Sequence, residues 1–231
     1  MSRVKIQFSW DDGAYEDLKL LKYISKYDNL NHTFYIPANN QERKVVGPND
    51  IKYISECSSI GSHTYHHTFL NTIPLSKVKS EVMDGRKYLE DIVGYEVKDF
   101  CYPGGKYNKS IEKEIKQIVS SARTTNLMCC KVTNNFNKNT TLQLVYRERR
   151  SLIKHIIAFA PIKIKMQLLR KISDQNYRLI DIIEIYLEYF ENINSNNDNF
   201  LHIWGHSWEI EDCFLWGELD DIFSLLNDYN K

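Results

Sequence analysis

Five polar side chains at three separated places in the sequence are of types suited to hydrolytic chemistry. They are Asp11 and Asp12 in FSWDDG, His63 and His67 in SHTYHH, and His206 in HIWGHSWE. One carboxylate with two imidazoles is a common ligand set for a catalytic divalent metal, and it leaves a coordination position open. A second carboxylate and a third imidazole then remain to move protons. The set therefore predicts a metal-dependent hydrolase.

The spacing within each group suggests how the side chains are presented. His63 and His67 are four residues apart, so a single helical turn would place both imidazoles on one face, where they could bind one ion. Asp11 and Asp12 are adjacent, and neighbouring side chains of an extended segment point to opposite sides. The two aspartates can therefore have different functions.

The elements that must position these residues alternate between strand-like and helix-like patterns. The strand patterns cover Val4–Trp10, Thr33–Ile36, Ile60–His63, Val97–Tyr102, Ser121–Thr125, Thr140–Tyr146 and Phe200–Trp204. The helix patterns cover Tyr15–Tyr27, Pro48–Cys57, Ser76–Gly94, Ile111–Val119 and Arg178–Asn192. Asn-rich composition predicts loops at Asn134–Thr141 and Asn192–Asn199. Repeated strand-then-helix units predict an α/β fold with mainly parallel strands, in which a barrel gathers its site at the carboxyl ends of the strands.

The composition limits the class of protein and of partner. A hydrophobic content of 42% with 13% aromatic residues indicates a globular chain, because disordered chains are poor in aromatics. Thirty basic residues balance thirty acidic ones, so no overall field attracts nucleic acid or anionic lipid. Five cysteines, two of them adjacent, suit reduced thiols better than a disulfide framework. With no leader-like start before the first strand pattern, we expect a cytoplasmic protein.

Four segments resemble, in order and in spacing, the motifs of the polysaccharide deacetylase superfamily, carbohydrate esterase family four. FSWDDG resembles the aspartate-pair motif, IGSHTYHH the histidine motif, FCYPGGKYN the proline–glycine loop and LHIWGHSWE the late histidine segment. The resemblance spans nearly the whole chain. It implies one deacetylase domain over residues 1–231, a distorted and incomplete (β/α) barrel, and metal-assisted hydrolysis of an acetamido group on a sugar.

The resemblance also implies a role for each matching residue. The ligands of one divalent metal ion, expected to be zinc, would be Asp12, His63 and His67. Asp11 would be the general base, and His206 the general acid that protonates the departing amine. The backbone N–H of Gly104 would stabilise the tetrahedral oxyanion. The Thr64 side chain could fix the histidine loop through a hydrogen bond.

The sequence departs from the family pattern at two places. Many members carry an arginine before the proline, where it pairs with the catalytic aspartate, and Cys101 lies nearest to that place here. Arg123 or Arg147 could supply this cation. The motif that orients the late histidine is not visible either, and Glu209 is the candidate partner of His206.

The expected substrate is an N-acetylated sugar, such as a precursor in surface-polysaccharide assembly, which could be lipid- or nucleotide-linked. The candidate sugar-binding residues are Trp208, Tyr102 and Arg123. Trp208 could stack on a sugar face or pack inside the protein with equal weight.

Other functions remain open. The same residues could hydrolyse another C–N bond, in a formamide or a cyclic amide, or the chain could be a catalytically retired sugar-binding protein. A mononuclear iron oxygenase also uses two histidines and one carboxylate, but it would leave Asp11 and His206 unexplained.

The segment Leu152–Ile172 mixes apolar residues with lysines and arginines, and Pro161 interrupts it. Such a composition could rest on an anionic membrane surface. Long cationic side chains that cover the outside of a barrel explain it as well, and this second interpretation is favoured. No segment reaches the roughly 20 apolar residues that a membrane-spanning helix needs.

Overall fold

A computed structural model describes residues 4–132, 134–193 and 199–231. In this part of the chain eight strands form one sheet: β1 Lys5–Asp11, β2 Asn31–Ile36, β3 Ser59–Ser62, β4 Asp99–Cys101, β5 Ser121–Arg123, β6 Asn137–Lys138, β7 Leu142–Gln143 and β8 Phe200–Gly205. The strand order is β6-β5-β4-β3-β2-β1-β8-β7, and every neighbouring pair is parallel. The predicted parallel sheet is confirmed.

The sheet curls into a half-barrel with helices around it. Its two edge strands, β6 and β7, are consecutive in the sequence and are joined by residues 139–141. Among the described residues no ladder pairs β6 with β7. The segment between them is held by single bonds instead, from the Thr140 N–H to the Asn126 carbonyl at 2.8 Å and from the Thr141 N–H to the His202 carbonyl at 2.7 Å. The incomplete (β/α) barrel is therefore confirmed.

Nine helices lie in the described part: α1 Glu16–Ile24, α2 Pro48–Cys57, α3 Leu75–Val93, α4 Lys109–Ile115, α5 Arg149–Phe159, α6 Ile162–Ser173, α7 Leu179–Glu191, α8 Ser207–Asp212 and α9 Trp216–Tyr229. Five of them coincide with the predicted helices. Leu152–Ile172 forms most of α5 and α6, and α8 and α9 were not predicted. None of the described helices combines the length and the apolar character needed to cross a membrane.

Two predicted boundaries at the edge of the sheet are wrong. The loop predicted at Asn134–Thr141 contains β6, because the backbone of β5 pairs with Phe136 and Lys138 whatever their side chains are. The strand predicted at Thr140–Tyr146 is paired with β8 only at Leu142 and Gln143. Of the loop predicted at Asn192–Asn199, residues 194–198 lie outside the described residues.

The alternation along β1 decides which side chains face the interior of the half-barrel. Ile6, Phe8 and Trp10 are buried on the side of the helices, where Phe8 meets Phe223 of α9 edge-on at 4.9 Å. The residues between them face the other way, so the Ser9 hydroxyl lies 2.9 Å from His202 Nε2 of β8. Because side chains alternate, the last residue of β1, Asp11, also faces this polar interior.

Candidate active site

The two aspartates are separated by a change of backbone conformation at the end of β1. Asp12 has φ 79° and Gly13 has φ 62°, so the chain turns sharply after Asp11. The Asp12 N–H still donates to the Tyr35 carbonyl at 3.1 Å, which keeps the turn at the end of the sheet. A left-handed conformation at a residue other than glycine costs on the order of 1–3 kcal/mol, and such residues cluster at functional sites. This turn separates the directions of the two carboxylates.

Both histidines of the histidine motif present a ring nitrogen to Asp12. His63 follows β3 directly, and its Nδ1 lies 2.8 Å from the Cys101 carbonyl oxygen. A carbonyl only accepts, so Nδ1 carries the hydrogen and Nε2 offers a lone pair. His63 Nε2 lies 3.6 Å from Asp12 Oδ1, and His67 Nε2 lies 3.1 Å from the same oxygen. One ligand atom of each of these three residues lies within 4.8 Å of the others.

The predicted helical turn between the two histidines is wrong. Thr64 and His67 have φ values of 66° and 54°, so the segment is a loop with left-handed residues. Two bonds hold it: the Thr64 hydroxyl oxygen accepts from the Thr68 N–H at 3.0 Å, and the Tyr65 N–H donates to the Glu81 carbonyl of α3 at 2.9 Å. The expected side-chain bond of Thr64 is confirmed.

The donor set around Asp12 fits a divalent cation. Asp12 Oδ1 is buried, and no described group donates a well-aligned hydrogen bond to it. Burial alone would raise the pKa of Asp12, but the imidazoles of His63 and His67 outweigh burial and lower the pKa. An ionised carboxylate oxygen with two imidazole nitrogens matches the preferences of zinc and of related divalent ions.

A second group of possible ligands, Asp11, His63 and Cys101, also lies within 4.8 Å. Burial raises the pKa of the Cys101 thiol well above its ordinary value, so the thiol keeps its proton. Its Sγ lies 3.6 Å from Asp11 Oδ2, as a donor to that carboxylate. Because metals bind the thiolate, this second group is the weaker candidate.

Arg123 supplies the cation beside Asp11. It is the last residue of β5, and its Nη2 forms an ion pair with Asp11 Oδ2 across the interior of the half-barrel. Burial alone would raise the pKa of Asp11, but the Arg123 charge outweighs burial and lowers it. The alternative cation, Arg147, instead bonds to the Gln143 side chain.

Two of the expected sugar contacts are corrected by burial. Only 1% of Arg123 is exposed, and its guanidinium lies 4.5 Å from the centroid of the Trp204 ring. Tyr102 is fully buried, and its hydroxyl donates to the Asn137 side chain at 3.1 Å. Neither side chain is accessible to a bound sugar, because other protein groups surround both.

Glu209 is the hydrogen-bond partner of His206. His206 directly precedes α8, and its Nδ1 lies 2.6 Å from Glu209 Oε2 in the first turn of that helix. Gln143 of β7 donates to the same oxygen at 3.0 Å. Burial alone would lower the pKa of His206, but the bond to Glu209 and the charge of Asp12 outweigh it and raise the pKa. The other ring nitrogen, Nε2, lies 3.7 Å from Asp12 Oδ2.

Trp208 makes protein contacts instead of presenting an open ring. Its Nε1 donates to Asp12 Oδ2 at 3.1 Å, and its ring stacks with His206 at 5.1 Å between centroids. The Arg43 guanidinium lies 3.9 Å from the Trp208 ring centroid. Arg43 belongs to no motif and lies in the loop between β2 and α2, so no sequence signal indicated it. The expected stacking of Trp208 on a sugar is not supported by this arrangement.

A groove lies beside His67 and has no signature in the sequence. Its volume is about 280 Å³, and its lining includes Asn40, Gln41, Thr68 and Phe69. The Phe69 ring lies 6.2 Å from the His67 ring, measured between centroids. Amide, hydroxyl and aromatic groups together are a surface that can bind a sugar. The polar residues that line the groove come from two separate segments, and their spacing forms no recognisable sequence pattern.

The proline–glycine loop borders His63. Pro103–Gly105 forms a single 3-10 turn after β4, and Gly104 has φ 58°. At Gly105, with φ 66°, a Cβ atom would lie 2.1 Å from Thr125 Oγ1, so the turn depends on glycine there. The carbonyl of Cys101, two residues before the turn, accepts the bond from His63. The loop is thereby joined to the candidate ligands.

A family model described as polysaccharide deacetylase matches residues 2–120. The chain belongs to the polysaccharide deacetylase family. The matched region contains four of the five residues first singled out, and it ends before His206. Membership confirms the family resemblance, and the matched region contains three of the four motifs. No curated protein sequence matches the chain.

Solved structures of deacetylases have a similar fold. The Bc1960 peptidoglycan N-acetylglucosamine deacetylase is 17% identical, with a TM-score of 0.58 over 99% of this chain and 84% of that one. The chitin deacetylase of Colletotrichum lindemuthianum is 17% identical, with a TM-score of 0.56 over 95% and 80%. The Streptococcus pyogenes deacetylase PplD is 20% identical, with a TM-score of 0.53 over 58% and 62%. The chain thus spans less than two thirds of the length of that last protein, and identities this low support the fold alone.

Proposed function

We propose that the chain is a metal-dependent hydrolase that removes the N-acetyl group of an amino sugar. The observation that carries this proposal is that the groups around Asp12 have different partners. The imidazoles of His63 and His67 face Asp12 Oδ1. Asp11 instead pairs with Arg123, and His206 pairs with Glu209. A ligand group, a base and an acid are the three parts that amide hydrolysis requires. All three lie at the carboxyl ends of β1, β3 and β8.

Asp11 and His206 would carry the two proton transfers. Asp11 accepts a proton from water as the water oxygen bonds to the amide carbon. His206 donates a proton to the nitrogen as the C–N bond breaks, so that acetate and a free amine result. The lowered pKa of Asp11 and the raised pKa of His206 favour these protonation states before the reaction. Each such group contributes on the order of 10²–10⁴-fold to the rate.

The remaining groups would stabilise charge. Asp12, His63 and His67 would hold the metal ion, for which zinc is our proposal. When bound, such an ion polarises the carbonyl oxygen and lowers the pKa of water. The backbone N–H of Gly104 would donate to the developing oxyanion, a contribution on the order of 3–4 kcal/mol where such donors have been removed. The groove beside His67 would receive the sugar.

By analogy with the peptidoglycan and chitin deacetylases that share the fold, the proposed substrate is of N-acetylglucosamine type. The proposed substrates include lipid-linked and nucleotide-linked forms of that sugar. The suggested cytoplasmic location has separate support from the five cysteines, all of which are free thiols.

The proposal is tested by measuring acetate released from N-acetylglucosamine oligomers. A chelator should abolish release, and added zinc should restore it. Asp11→Asn should lower the rate by at least about 100-fold and keep the metal content of the wild type. Activity that survives complete removal of metal would refute the proposal.

A matched pair of histidines checks the assignment of the ligands. His67→Gln should lose bound metal, whereas His66→Gln should keep it. His66 is a neighbour in sequence, but its side chain is exposed and bonds through Nδ1 to Glu81 at 2.8 Å, away from Asp12. Equal metal content in the two variants would contradict the ligand set.

The other functions are separated by simple measurements. Release of formate in place of acetate would identify a different C–N bond as the substrate. A retired sugar-binding protein would bind oligosaccharides without turnover. The displaced arginine was the reason to consider that possibility, and the pairing of Arg123 with Asp11 removes this reason.

A further inference from the structure

The helices α5 and α6 form a hairpin whose charge differs from that of the whole chain. The hairpin, residues 149–173, contains seven lysines and arginines and no aspartate or glutamate. The other residues contain 23 basic and 30 acidic side chains, so the rest of the chain has an excess of acid. Net neutrality therefore hides a strongly basic segment.

The outer side of this hairpin carries large apolar side chains. Ile162 is 86% exposed and Met166 is 62% exposed, one turn apart on α6, and Ile157 near the end of α5 is 60% exposed. Phe159 is also exposed, beside the turn at residues 160–161. An inner row holds the hairpin on the protein, and its buried members include Leu152, Ile156, Ile164 and Leu168. The apolar side chains on the outside are therefore not needed for the core.

The cations of the hairpin are largely without carboxylate partners in the described part of the chain. Lys171 alone forms an ion pair, with Asp181 at 3.6 Å. Lys165 donates to the Ile157 carbonyl at 2.6 Å, and Arg149 donates to the Asp174 carbonyl at 3.0 Å. These contacts do not neutralise charge. A surface that combines exposed apolar groups with unneutralised cations is complementary to an interface with apolar and anionic parts.

The exposure of Ile162 and Met166 shows that the cationic side chains do not cover these apolar groups, contrary to the interpretation favoured from the sequence. We propose instead that this hairpin docks on an anionic lipid bilayer. The exposed apolar side chains enter the interfacial region while the lysines and arginines contact the headgroups. The helices contain 11 and 12 residues, against the roughly 20 that a membrane-spanning helix needs, so both would lie on the surface. A second copy of the chain is a poorer occupant, because two such faces would bring seven cations against seven. Nucleic acid would leave the apolar row exposed to water.

The hairpin and the candidate active site lie at opposite ends of β8. A groove of about 510 Å³ separates the turn from the Cys129–Lys131 segment. The Cys130 carbonyl accepts from the N–H of Phe200, the first residue of β8. The turn thus lies near the beginning of β8, whereas His206 follows its end. The docked protein would hold the mouth of the active site away from the bilayer.

Vesicle co-sedimentation with the full chain tests this proposal. The chain should bind vesicles of phosphatidylcholine with about 30% phosphatidylglycerol, and should bind pure phosphatidylcholine at least about tenfold more weakly. Raising the salt from about 0.1 M to about 0.5 M should weaken binding to the anionic vesicles, because screening shortens the reach of exposed charges.

Variants of the hairpin separate its apolar and charged contributions. The double variant Ile162→Ser and Met166→Ser should bind at least about tenfold more weakly, because it removes two apolar contacts. The double variant Lys154→Glu and Lys163→Glu should lose the preference for anionic vesicles. Both should unfold like the wild type and keep its activity on a soluble substrate, since their altered side chains are exposed. The matched control is Met83→Ser on α3, an exposed apolar residue outside the hairpin, which should bind like the wild type.

Three results would overturn the proposal. The first is absence of binding to anionic vesicles. The second is unchanged binding of the Ile162 and Met166 variant. The third is a wild-type dimer that this variant breaks, without any binding to vesicles, which would assign the face to a second copy. Because activity on a soluble substrate is measured separately, failure of docking is distinguishable from failure of the proposed hydrolase function.

Discussion

Asp11 and Asp12 show how two identical side chains acquire different properties through direction alone. Asp11 ends β1 and faces the interior, where Arg123 approaches its Oδ2. Asp12 follows in a left-handed conformation and presents its Oδ1 to His63 and His67. One carboxylate thereby contacts a permanent cation, and the other contacts two imidazole nitrogens. The fixed charge of Arg123 also offsets the desolvation free energy that burial of the Asp11 carboxylate costs.

The pairing of Asp11 with Arg123 predicts a large loss of stability in Arg123→Met. This variant leaves a buried carboxylate without its cation, so the free energy of unfolding should fall by about 3–5 kcal/mol. Urea denaturation in the presence of chelator measures this effect apart from that of metal. The double variant with Asp11→Asn should recover part of the loss. A stability of Arg123→Met equal to that of the wild type would show that the ion pair does not matter for folding.

Two histidines of the core predict how stability depends on pH. Burial lowers the pKa of both His32 and His202 to about 3, from an ordinary value of 6.5. The unfolded chain therefore binds protons at these sites at a higher pH than the folded chain does. The stability of the fold is retained above pH 6.5 and decreases as the pH falls from there toward 3. Each histidine contributes a slope of at most about 1.4 kcal/mol per pH unit.

Substitution of these histidines should reduce the slope. His32 accepts from Trp10 Nε1 through Nδ1 at 3.1 Å, so His32→Asn keeps an acceptor in place. His202→Gln keeps a side chain that can form a hydrogen bond with the Ser9 hydroxyl. Chemical denaturation at a series of pH values between about 4 and 7 measures the change. Met83→Ser, at an exposed residue that does not titrate, serves as the control with an unchanged slope. A slope unaffected by either core substitution would contradict the assignment.

At the scale of elements, α3 supports the histidine loop at one closely packed residue. At Gly85, in the middle of α3, a Cβ atom would lie 2.5 Å from the Thr64 carbonyl carbon and 2.6 Å from the Thr64 oxygen. Both atoms belong to the backbone between the two candidate ligands. The helix and the loop can therefore approach this closely only because residue 85 has no side chain.

Gly85→Ala should weaken metal binding although alanine favours a helix. The gain in helix propensity is about 1 kcal/mol, whereas overpacking a closely packed site costs about 1–3 kcal/mol and must here displace backbone. We expect metal affinity to fall at least about tenfold, measured by competition with a chromophoric chelator. Gly217→Ala in α9 is the matched control, since no atom lies within 4 Å of its added Cβ. Tight binding by Gly85→Ala would contradict the role of this contact.

The elements also show which features the sequence could predict. β1, β2 and β8 alternate or cluster apolar residues, so these strands could be anticipated. β1, β3 and β8 each lead into a motif, so the placement of those motifs at the carboxyl ends of strands could be anticipated as well. β6 could not, because an edge strand of two polar residues is defined by backbone pairing alone. For the cation that pairs with Asp11, the sequence leaves two candidates, Arg123 and Arg147. Choosing between them requires knowing which strand faces Asp11 across the barrel, and that is a property of the sheet order.

At the scale of the whole molecule, the candidate site connects parts of the chain that are distant in sequence. Asp12 comes from the end of β1, the candidate ligands His63 and His67 from the loop after β3, and His206 from the end of β8. Only the folded half-barrel brings them together. A metal bound by the first three would therefore bind the folded chain and leave the unfolded chain with separate, weak ligands.

This coupling predicts that zinc stabilises the protein in proportion to the logarithm of its concentration. At a free zinc concentration 1,000 times the dissociation constant, the gain is about 4 kcal/mol. For a chain of this size that corresponds to a rise in Tm of roughly 8–16 °C. Calorimetric melting over a series of zinc concentrations measures the rise. Asp12→Asn should remove most of it, because a neutral amide is a poor ligand, while Asp11→Asn should retain it. If zinc raised the Tm of Asp12→Asn as much as that of the wild type, the metal would bind elsewhere. The Asp12→Asn and Asp11→Asn variants differ in their response to zinc only if Asp12 binds the ion.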